Sequence, residues 1–145
     1  MLIRETQPPT GRKVNNMSLK TWKAEFYPKP ASRVSKKDAL AHSLQKWEGL
    51  KNANLKKHGV ESYGREITSA DNNGLDIDEH SCALCKHYAD LDCFGCPIYK
   101  VRGMRCDEDE NGIGGDNSPY VLFTTRNNPL PMLRLLKAAQ KAESK

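Results

Sequence analysis

Residues 82–106 read CALCKHYADLDCFGCPIYKVRGMRC and hold all five cysteines of the 145-residue chain. Their spacing is C-x2-C-x7-C-x2-C-x9-C. A C-x2-C pair places two thiolates on one tight turn, and two such pairs can complete a tetrahedral four-thiolate zinc site. An odd number of cysteines, in a chain without a signal-peptide pattern, argues against a closed set of disulfides. We therefore predict a structural zinc site, with these candidate ligands: Cys82, Cys85, Cys93, Cys96 and Cys106.

The choice of four ligands among the five cysteines stays open at this point. Cys82 and Cys85 are the first choice, followed by Cys96, and either Cys93 or Cys106 can complete the set. Two histidines flank the first pair and could substitute: His80 and His87. Five thiols also leave an iron–sulfur cluster open, although the ferredoxin-type cysteine runs are absent. A four-thiolate zinc site has no open position for water, so its predicted role is structural.

The apolar content of the chain gives this metal an energetic role. Leu, Ile, Val and Phe make up just under 19% of the residues, near the range of disordered proteins. Zinc binding releases about 10–16 kcal/mol in zinc-finger peptides, and this becomes folding free energy because the unfolded chain has no preformed site. We expect chelation to unfold at least residues 80–125.

Two helices are predicted upstream of the cysteines. The first begins after Ser35 as N-cap and ends at Gly49, and a shorter one covers about 50–57 and stops at Gly59 in the left-handed conformation. The apolar face of the first helix recurs at spacings of four and three: Leu40, Leu44 and Trp47. Its lysines are expected to lie mostly off that face: Lys36, Lys37 and Lys46.

The other elements complete a predicted α+β fold. Short strands are predicted over 19–27 and 119–123, and polar loops over 61–80 and 107–117. A C-terminal helix has Pro131 near its first turn and an apolar stripe: Met132, Leu133, Leu136 and Ala139. The expected organisation is a disordered arm, 1–16, followed by one small zinc-stabilised domain, 17–145, with Met17 as an alternative start to Met1. That domain combines an N-terminal helical hairpin, a zinc-knuckle segment, a short antiparallel sheet and the C-terminal helix.

Positive charge is concentrated in the first part of the chain. Residues 1–60 carry a net charge of +9, whereas residues 61–80 carry −5. Basic side chains interleaved with aromatic ones are typical of nucleic-acid binding, because cations contact phosphates while aromatic rings stack on bases. Trp22, Phe26 and Tyr27 could serve in this way, or they could pack against the helix that carries Trp47. The candidate nucleic-acid contacts are Lys20, Lys23, Arg33, Lys36, Lys37, Lys46, Lys100, Arg102 and Arg105.

The common catalytic motifs are absent from the sequence: there is no P-loop, no H-E-x-x-H and no G-x-S-x-G. The isolated His42 and His58 are interpreted as surface residues rather than as a catalytic base or a ligand. Only seven residues separate the two C-x2-C pairs, which leaves no room between them for the ββα-metal unit of an HNH-type nuclease. We therefore predict that the protein is not an enzyme. The alternative prediction is a metal-dependent nuclease.

Four features occur together along the second half of the chain: Cys82-x2-Cys85, Cys93-x2-Cys96-Pro97, Gly103-x2-Cys106 and Ser118-Pro119-Tyr120. In these features the chain resembles short, functionally uncharacterised proteins encoded by bacteriophages and prophages. The resemblance implies a metal knuckle and a phage context but no established activity. It favours an accessory or host-modulating binding protein in the host cytoplasm, away from membranes.

We therefore expect a non-enzymatic binding protein with a structural zinc site that contacts nucleic acid or a nucleoprotein complex. The second possibility is an inhibitor of a host defence system, similar in style to an anti-CRISPR protein, that acts by contact with a host protein. Salt distinguishes these possibilities, because phosphate-driven binding weakens log-linearly with salt.

Overall fold

The computed structural model describes residues 17–70, 73–78, 81–88 and 93–143, and the predicted arm 1–16 lies outside these ranges. The α+β class and the C-terminal helix are confirmed. The helices in the described part are α1 (Leu19–Phe26), α2 (Ala39–Glu48), α3 (Asn52–Lys57), α4 (Ala83–Tyr88), α5 (Pro97–Arg102), α6 (Pro119–Arg126) and α7 (Leu130–Glu143). The strands are β1 (Val60–Tyr63), β2 (Glu66–Ser69), β3 (Gly74–Asp76), β4 (Glu108–Asp109) and β5 (Gly112–Ile113).

The two helices predicted upstream of the cysteines are confirmed, with one shift at the start. α2 begins at Ala39, because Ser35 and the residues after it form a turn in which the Ser35 hydroxyl donates to the Asp38 carboxylate, 3.1 Å away. Gly49 follows the last residue of α2, as predicted. Gly59 follows α3 with φ +65°, the left-handed backbone that the sequence predicts there.

α7 is the helix around which the core is organised. It packs against α2, α5 and α6. All four residues of its predicted apolar stripe are buried, namely Met132, Leu133, Leu136 and Ala139. Between α2 and α6, the rings of Trp47 and Phe123 meet edge to face with centroids 5.0 Å apart. These contacts give the chain a helical core in spite of its low apolar content.

The strand predicted over 19–27 is wrong, because this segment forms α1. Ser18 and Thr21 make a reciprocal capping box, in which the Ser18 backbone N–H donates to the Thr21 hydroxyl, 2.9 Å away. The buried residues Leu19, Trp22 and Phe26 share one face of the helix at spacings of three and four. The capping signal and this helical period override the β-propensity of the aromatic residues.

The strand predicted over 119–123 is also wrong, because these residues begin α6. Ser118 is the N-cap residue and Pro119 occupies the first turn, where its missing N–H costs no hydrogen bond. The helix ends at Asn127, whose φ of +53° is left-handed. Phe123 is fully buried on the inner face of this helix.

The antiparallel sheet lies in the segment that the sequence assigned to a polar loop. β1, β2 and β3 pair in that order, and Ile67 of β2 stands opposite Ser62 and Leu75. Ile67 is fully buried, whereas most of its neighbours along the strand are polar. Each strand thus has a single inward-facing apolar residue. This pattern is too weak for the strands to be predicted from the sequence.

The described helices include none that is both long and apolar enough to cross a bilayer. The longest, α7, has 14 residues, whereas a transmembrane helix needs about 20 apolar ones.

Candidate metal centre and basic surface

The first cysteine pair lies at the start of α4. Cys82 comes directly before the helix, and its carbonyl oxygen accepts a hydrogen bond from the backbone N–H of Lys86, 3.1 Å away. Cys85 lies within the first turn of the helix. Residues three apart lie on the same side of a helix, so this spacing directs both thiols to one side.

The second cysteine pair lies on a tight turn over 93–96. The backbone N–H of Cys96 donates to the carbonyl oxygen of Cys93, 3.0 Å away, and Pro97 then begins α5. Cys93 and Gly95 both have left-handed backbones, with φ of +68° and +84°. Glycine adopts this conformation freely, but a residue with a Cβ is strained in it. Cys93 therefore holds a backbone conformation that its own side chain disfavours.

The structure brings all five cysteines together around one small cavity of about 30 Å³. This volume is similar to that of one water molecule in the liquid. An adjoining, more open cavity of about 420 Å³ is lined by four of the five: Cys82, Cys85, Cys93 and Cys106. Among the described residues, no group of three or more Cys, His, Asp or Glu side chains is arranged to hold a metal ion as it stands. The zinc site therefore stays a prediction.

The thiols of Cys82 and Cys85 are hydrogen-bonded to each other. The Cys85 thiol donates a hydrogen bond to Cys82 and thereby lowers the pKa of Cys82 well below its ordinary value, and the ammonium of Lys46 lowers it further. The same hydrogen bond raises the pKa of Cys85, and burial raises it further. The hydrogen bond therefore moves the pKa values of the two thiols in opposite directions, and a metal ion needs both thiols deprotonated.

Burial also acts on the thiols of Cys96 and Cys106. Burial raises the pKa of Cys96 to about 11. Burial also raises the pKa of Cys106, and the nearby Cys82 contributes in the same direction. Any metal that binds here has to displace the thiol protons, so its affinity increases with pH.

Lys46 lies beside the thiols and not on the protein surface, which corrects two predictions made from the sequence. Its side chain is buried, with a relative exposure of 1%. It lines the larger cavity together with Cys82, Cys85 and Cys106. Burial lowers the pKa of Lys46, whereas the nearby thiols act to raise it. A buried ammonium cannot contact a nucleic acid, so Lys46 leaves the set of candidate nucleic-acid contacts.

The larger cavity has further polar residues in its wall. Tyr120 donates a hydrogen bond from its hydroxyl to the carbonyl oxygen of Ile77, 2.6 Å away, and burial raises its pKa to about 12. Arg65 and Asp78 also line this cavity. Neither Arg65 nor Asp78 belongs to a motif, so the sequence offered no reason to place either residue beside the cysteines.

The described histidines form hydrogen bonds with groups other than the thiols. The Nε2 of His87 lies 2.7 Å from the carbonyl oxygen of Val34, and His80 lies outside the described residues. The prediction that His42 and His58 are surface residues is wrong, since both are buried. Among the described residues, cysteine thiols are therefore the potential metal ligands that line the small cavity.

The polar loop predicted over 107–117 contains a hairpin of β4 and β5. Three side chains hold this hairpin in place: two arginines that precede it in the chain and one aspartate within it. Arg102 donates to the carbonyl oxygens of Arg105 and Glu108. Arg105 donates to the Asp107 carboxylate at 2.9 and 3.0 Å. The buried Asp109 carboxylate accepts two backbone N–H groups of the loop. Arg102 and Arg105, which were predicted to contact nucleic acid, are thus half-buried and bonded within the chain.

The remaining candidate cations fall into separate groups. Lys20 and Lys23 lie on α1, which packs against α2 and β2. A second group lies next to α4, because the short turn over 31–33 packs against that helix. This group is exposed and consists of Arg33, Lys36 and Lys37. Lys100 is exposed on α5.

Aromatic side chains connect the second group of cations to the cysteine turn. The ammonium of Lys36 lies 4.9 Å from the centre of the Tyr88 ring. A Cβ on Gly95 would lie 3.6 Å from the same ring, so the cysteine turn rests on it. Next to Gly95, Phe94 is 62% exposed, and its ring centroid is 4.9 Å from that of Tyr99. Of the two roles that the sequence left open for Trp22 and Phe26, the structure shows packing, because both are buried in the core.

No family model matches the chain, and no curated protein or solved structure matches it either. The similarity to short bacteriophage and prophage proteins therefore stays a prediction.

Proposed function

We propose that this chain is a non-enzymatic binding protein whose fold is stabilised by zinc at the five-cysteine cluster and whose surface beside that cluster contacts nucleic acid. We call this surface the basic–aromatic surface and define it by seven residues: Arg33, Lys36, Lys37, Tyr88, Phe94, Tyr99 and Lys100. The observation that carries the proposal is the position of the Lys36 ammonium over the Tyr88 ring, which is also contacted at Gly95 by the cysteine turn that presents the exposed Phe94.

The chemistry of this surface fits a phosphate-bearing partner. The exposed Arg33, Lys36 and Lys37 lie within five residues of one another and can contact successive phosphates. Exposed aromatic rings stack on bases of any sequence, which suits a single strand whose bases are unpaired. A protein partner would use the aromatic residues but would have less need of clustered cations.

The cysteine cluster would give this surface its shape. The turn that carries Phe94 is formed by Cys93 and Cys96, and Tyr88 ends the described part of the helix that carries Cys85. A zinc ion bound by four of the five thiolates would fix the turn and the helix relative to each other. An iron–sulfur cluster would do the same, and the metal and acid-labile sulfide content of the purified protein distinguishes the two.

The test is a titration of labelled single-stranded and duplex oligonucleotides with the zinc-loaded protein, followed by fluorescence anisotropy at several salt concentrations. We expect the single strand to bind more tightly and the logarithm of the affinity to fall linearly with the logarithm of salt. The variant K36Q/K37Q should reduce the affinity and flatten this slope by about one to two. The matched control is K56Q/K57Q, which removes two neighbouring exposed lysines from α3.

Three outcomes would contradict the proposal. Equal effects of the two double variants would show that the position of the charges does not matter. Absence of binding at low salt would exclude nucleic acid, and a pull-down from host lysate with and without nuclease would then test a direct protein partner. Cleavage of the oligonucleotides in the presence of Mg²⁺ or Mn²⁺ would replace the non-enzymatic function by a nuclease activity.

A further inference from the structure

Lys46 places a positive charge inside the cysteine cluster. Its Nζ donates hydrogen bonds to the carbonyl oxygen of Ser81 at 2.9 Å and to the Ser81 hydroxyl at 3.4 Å. Ser81 is buried and directly precedes Cys82, so the ammonium is fixed at the start of the first cysteine pair. The ammonium also lies over the ring of Trp47, with Nζ 5.8 Å from the ring centroid.

A buried ammonium is costly unless an anion lies close to it. Neutral thiols are weak dipoles and compensate poorly for lost hydration. The wall of the larger cavity holds Lys46 together with the thiols of Cys82, Cys85 and Cys106 and the carboxylate of Asp78. A single carboxylate or thiolate would neutralise one charge, whereas zinc bound by four thiolates leaves a complex with two net negative charges.

We propose that Lys46 is the buried counter-ion of the metal–thiolate centre, so that this site is built for an anionic four-thiolate complex. The inference rests on the proposed metal centre and adds a residue that binds no metal but lowers the free energy of the loaded state. It also explains why a lysine occupies the inner face of α2, where the other buried residues are small or apolar: Ala39, Leu40, Ser43 and Trp47. His42 is the exception, because it is a buried polar residue whose Nε2 forms a separate hydrogen bond with the carbonyl oxygen of Lys29.

The variant K46M distinguishes a counter-ion from an unpaired buried lysine, because it weakens the metal complex in the first case and does not in the second. Methionine fills a similar space without charge. Replacing a buried charge that lacks an anion by an apolar side chain is neutral or stabilising. Removing the counter-ion of an anionic complex weakens that complex instead. Loss of an outer contact to a metal site costs about 10- to 100-fold in metal affinity, and we expect K46M to fall in that range.

The experiment measures zinc affinity in competition with a chromogenic chelator for the wild-type full chain, K46M and K46R, with K56M on the exposed face of α3 as matched control. We expect K46M to bind zinc at least about tenfold more weakly, K46R to bind more tightly than K46M, and K56M to equal the wild type. The absorption spectrum of the cobalt-loaded proteins reports the number of thiolate ligands. It should stay the same in K46M, since the charge and not the ligand set has changed.

Three results would overturn the inference. If K46M binds zinc as tightly as the wild type, no anionic complex needs this ammonium. If the cobalt spectrum of K46M loses thiolate bands, Lys46 acts by positioning Cys82 through Ser81 and not as a counter-ion. If the wild-type chain binds neither zinc nor cobalt, the proposed metal centre fails together with the inference, and this result is distinct from the other two.

Discussion

The indole N–H of Trp22 donates a hydrogen bond to the carbonyl oxygen of Gly49, 2.8 Å away. Trp22 is completely buried, and Gly49 is the residue that ends α2. The contact therefore joins the middle of α1 to the end of α2 and satisfies a carbonyl that the helix leaves without an internal partner. It also requires the two helices to approach closely at this point.

Replacement of Gly49 by alanine tests that close approach. A Cβ at this position would lie 2.4 Å from Cγ of Phe26, which is too close. The backbone itself would not be strained, because alanine readily adopts the Gly49 φ of −66°. We expect G49A to lose about 1–3 kcal/mol of stability through overpacking alone. Chemical denaturation of the zinc-loaded protein measures this. The double variant G49A/F26L should recover part of the loss, and independent effects of the two changes would contradict the steric explanation.

The sequence predicts the helices whose apolar residues recur over several turns. The stripes of α2 and α7 are long enough to show the helical period, and the turn-forming Gly49 and Gly59 follow α2 and α3. α1 and α6 are each eight residues long. Over that length, a few aromatic or β-branched residues resemble a strand as closely as a helix. Their capping residues, Ser18 and Ser118, carried the information that would have assigned them correctly.

The cysteine cluster could be predicted from spacing, but its surroundings could not. All five cysteines line one cavity, which agrees with the predicted convergence of the thiols. Lys46 was assigned to the surface because charge usually indicates exposure. A signal was present, since Ala39, Ser43 and Lys46 follow one another at spacings of four and three, and small residues on a helix indicate the close approach of another element. That element is α4, which packs against α2.

Metal removal tests the energetic role of the cluster. We expect a chelator to unfold at least residues 80–125, because the part of this segment described by the structure has short helices and two-residue strands and little apolar surface. Hydrogen exchange followed by mass spectrometry should show loss of protection in that segment and recovery after zinc is added back. Unchanged exchange after complete metal removal, confirmed by metal analysis, would contradict the prediction.

Cys93 offers a test of ligand identity that is independent of the other cysteines. Its left-handed backbone is strained by about 1–2 kcal/mol, and glycine would relieve that strain. If Cys93 is a ligand, as we expect, C93G should nevertheless reduce zinc affinity and thermal stability, because the lost thiolate outweighs the relief. C93S serves as the control that retains the strain. A C93G variant that is more stable than the wild type at full zinc occupancy would exclude Cys93 from the ligand set.

Phe94 is the residue of the basic–aromatic surface whose replacement is least expected to disturb the fold, since it is 62% exposed. We expect F94A to weaken binding of a single-stranded oligonucleotide by about 1–3 kcal/mol, the usual contribution of one stacked base. F94L, which keeps apolar area but loses the ring, should lose most of the same free energy. The control is Y63A on β1, where an aromatic ring is 84% exposed. An equal loss in Y63A would show that the position of the ring is irrelevant.

His42 makes the stability of the fold depend on pH. Its Nε2 lies 2.6 Å from the carbonyl oxygen of Lys29, its ring meets that of Tyr27 edge-on, and within the described part of the chain its buried Nδ1 has no hydrogen-bond partner. Burial lowers the pKa of His42, and the charge of Lys46 lowers it further. The unfolded chain therefore takes up a proton near pH 6.5 before the folded chain does.

It follows that the contribution of His42 to stability is fully present above about pH 6.5 and is lost as the pH falls toward the lowered pKa of the folded state. We expect the wild type to lose on the order of 1 kcal/mol more stability than H42Q between pH 7.5 and 5.5. Thermal or denaturant unfolding at each pH measures the difference, with zinc occupancy determined in parallel so that metal release is the same for both proteins. Parallel stability curves for the two proteins would show that the buried imidazole does not titrate in this range.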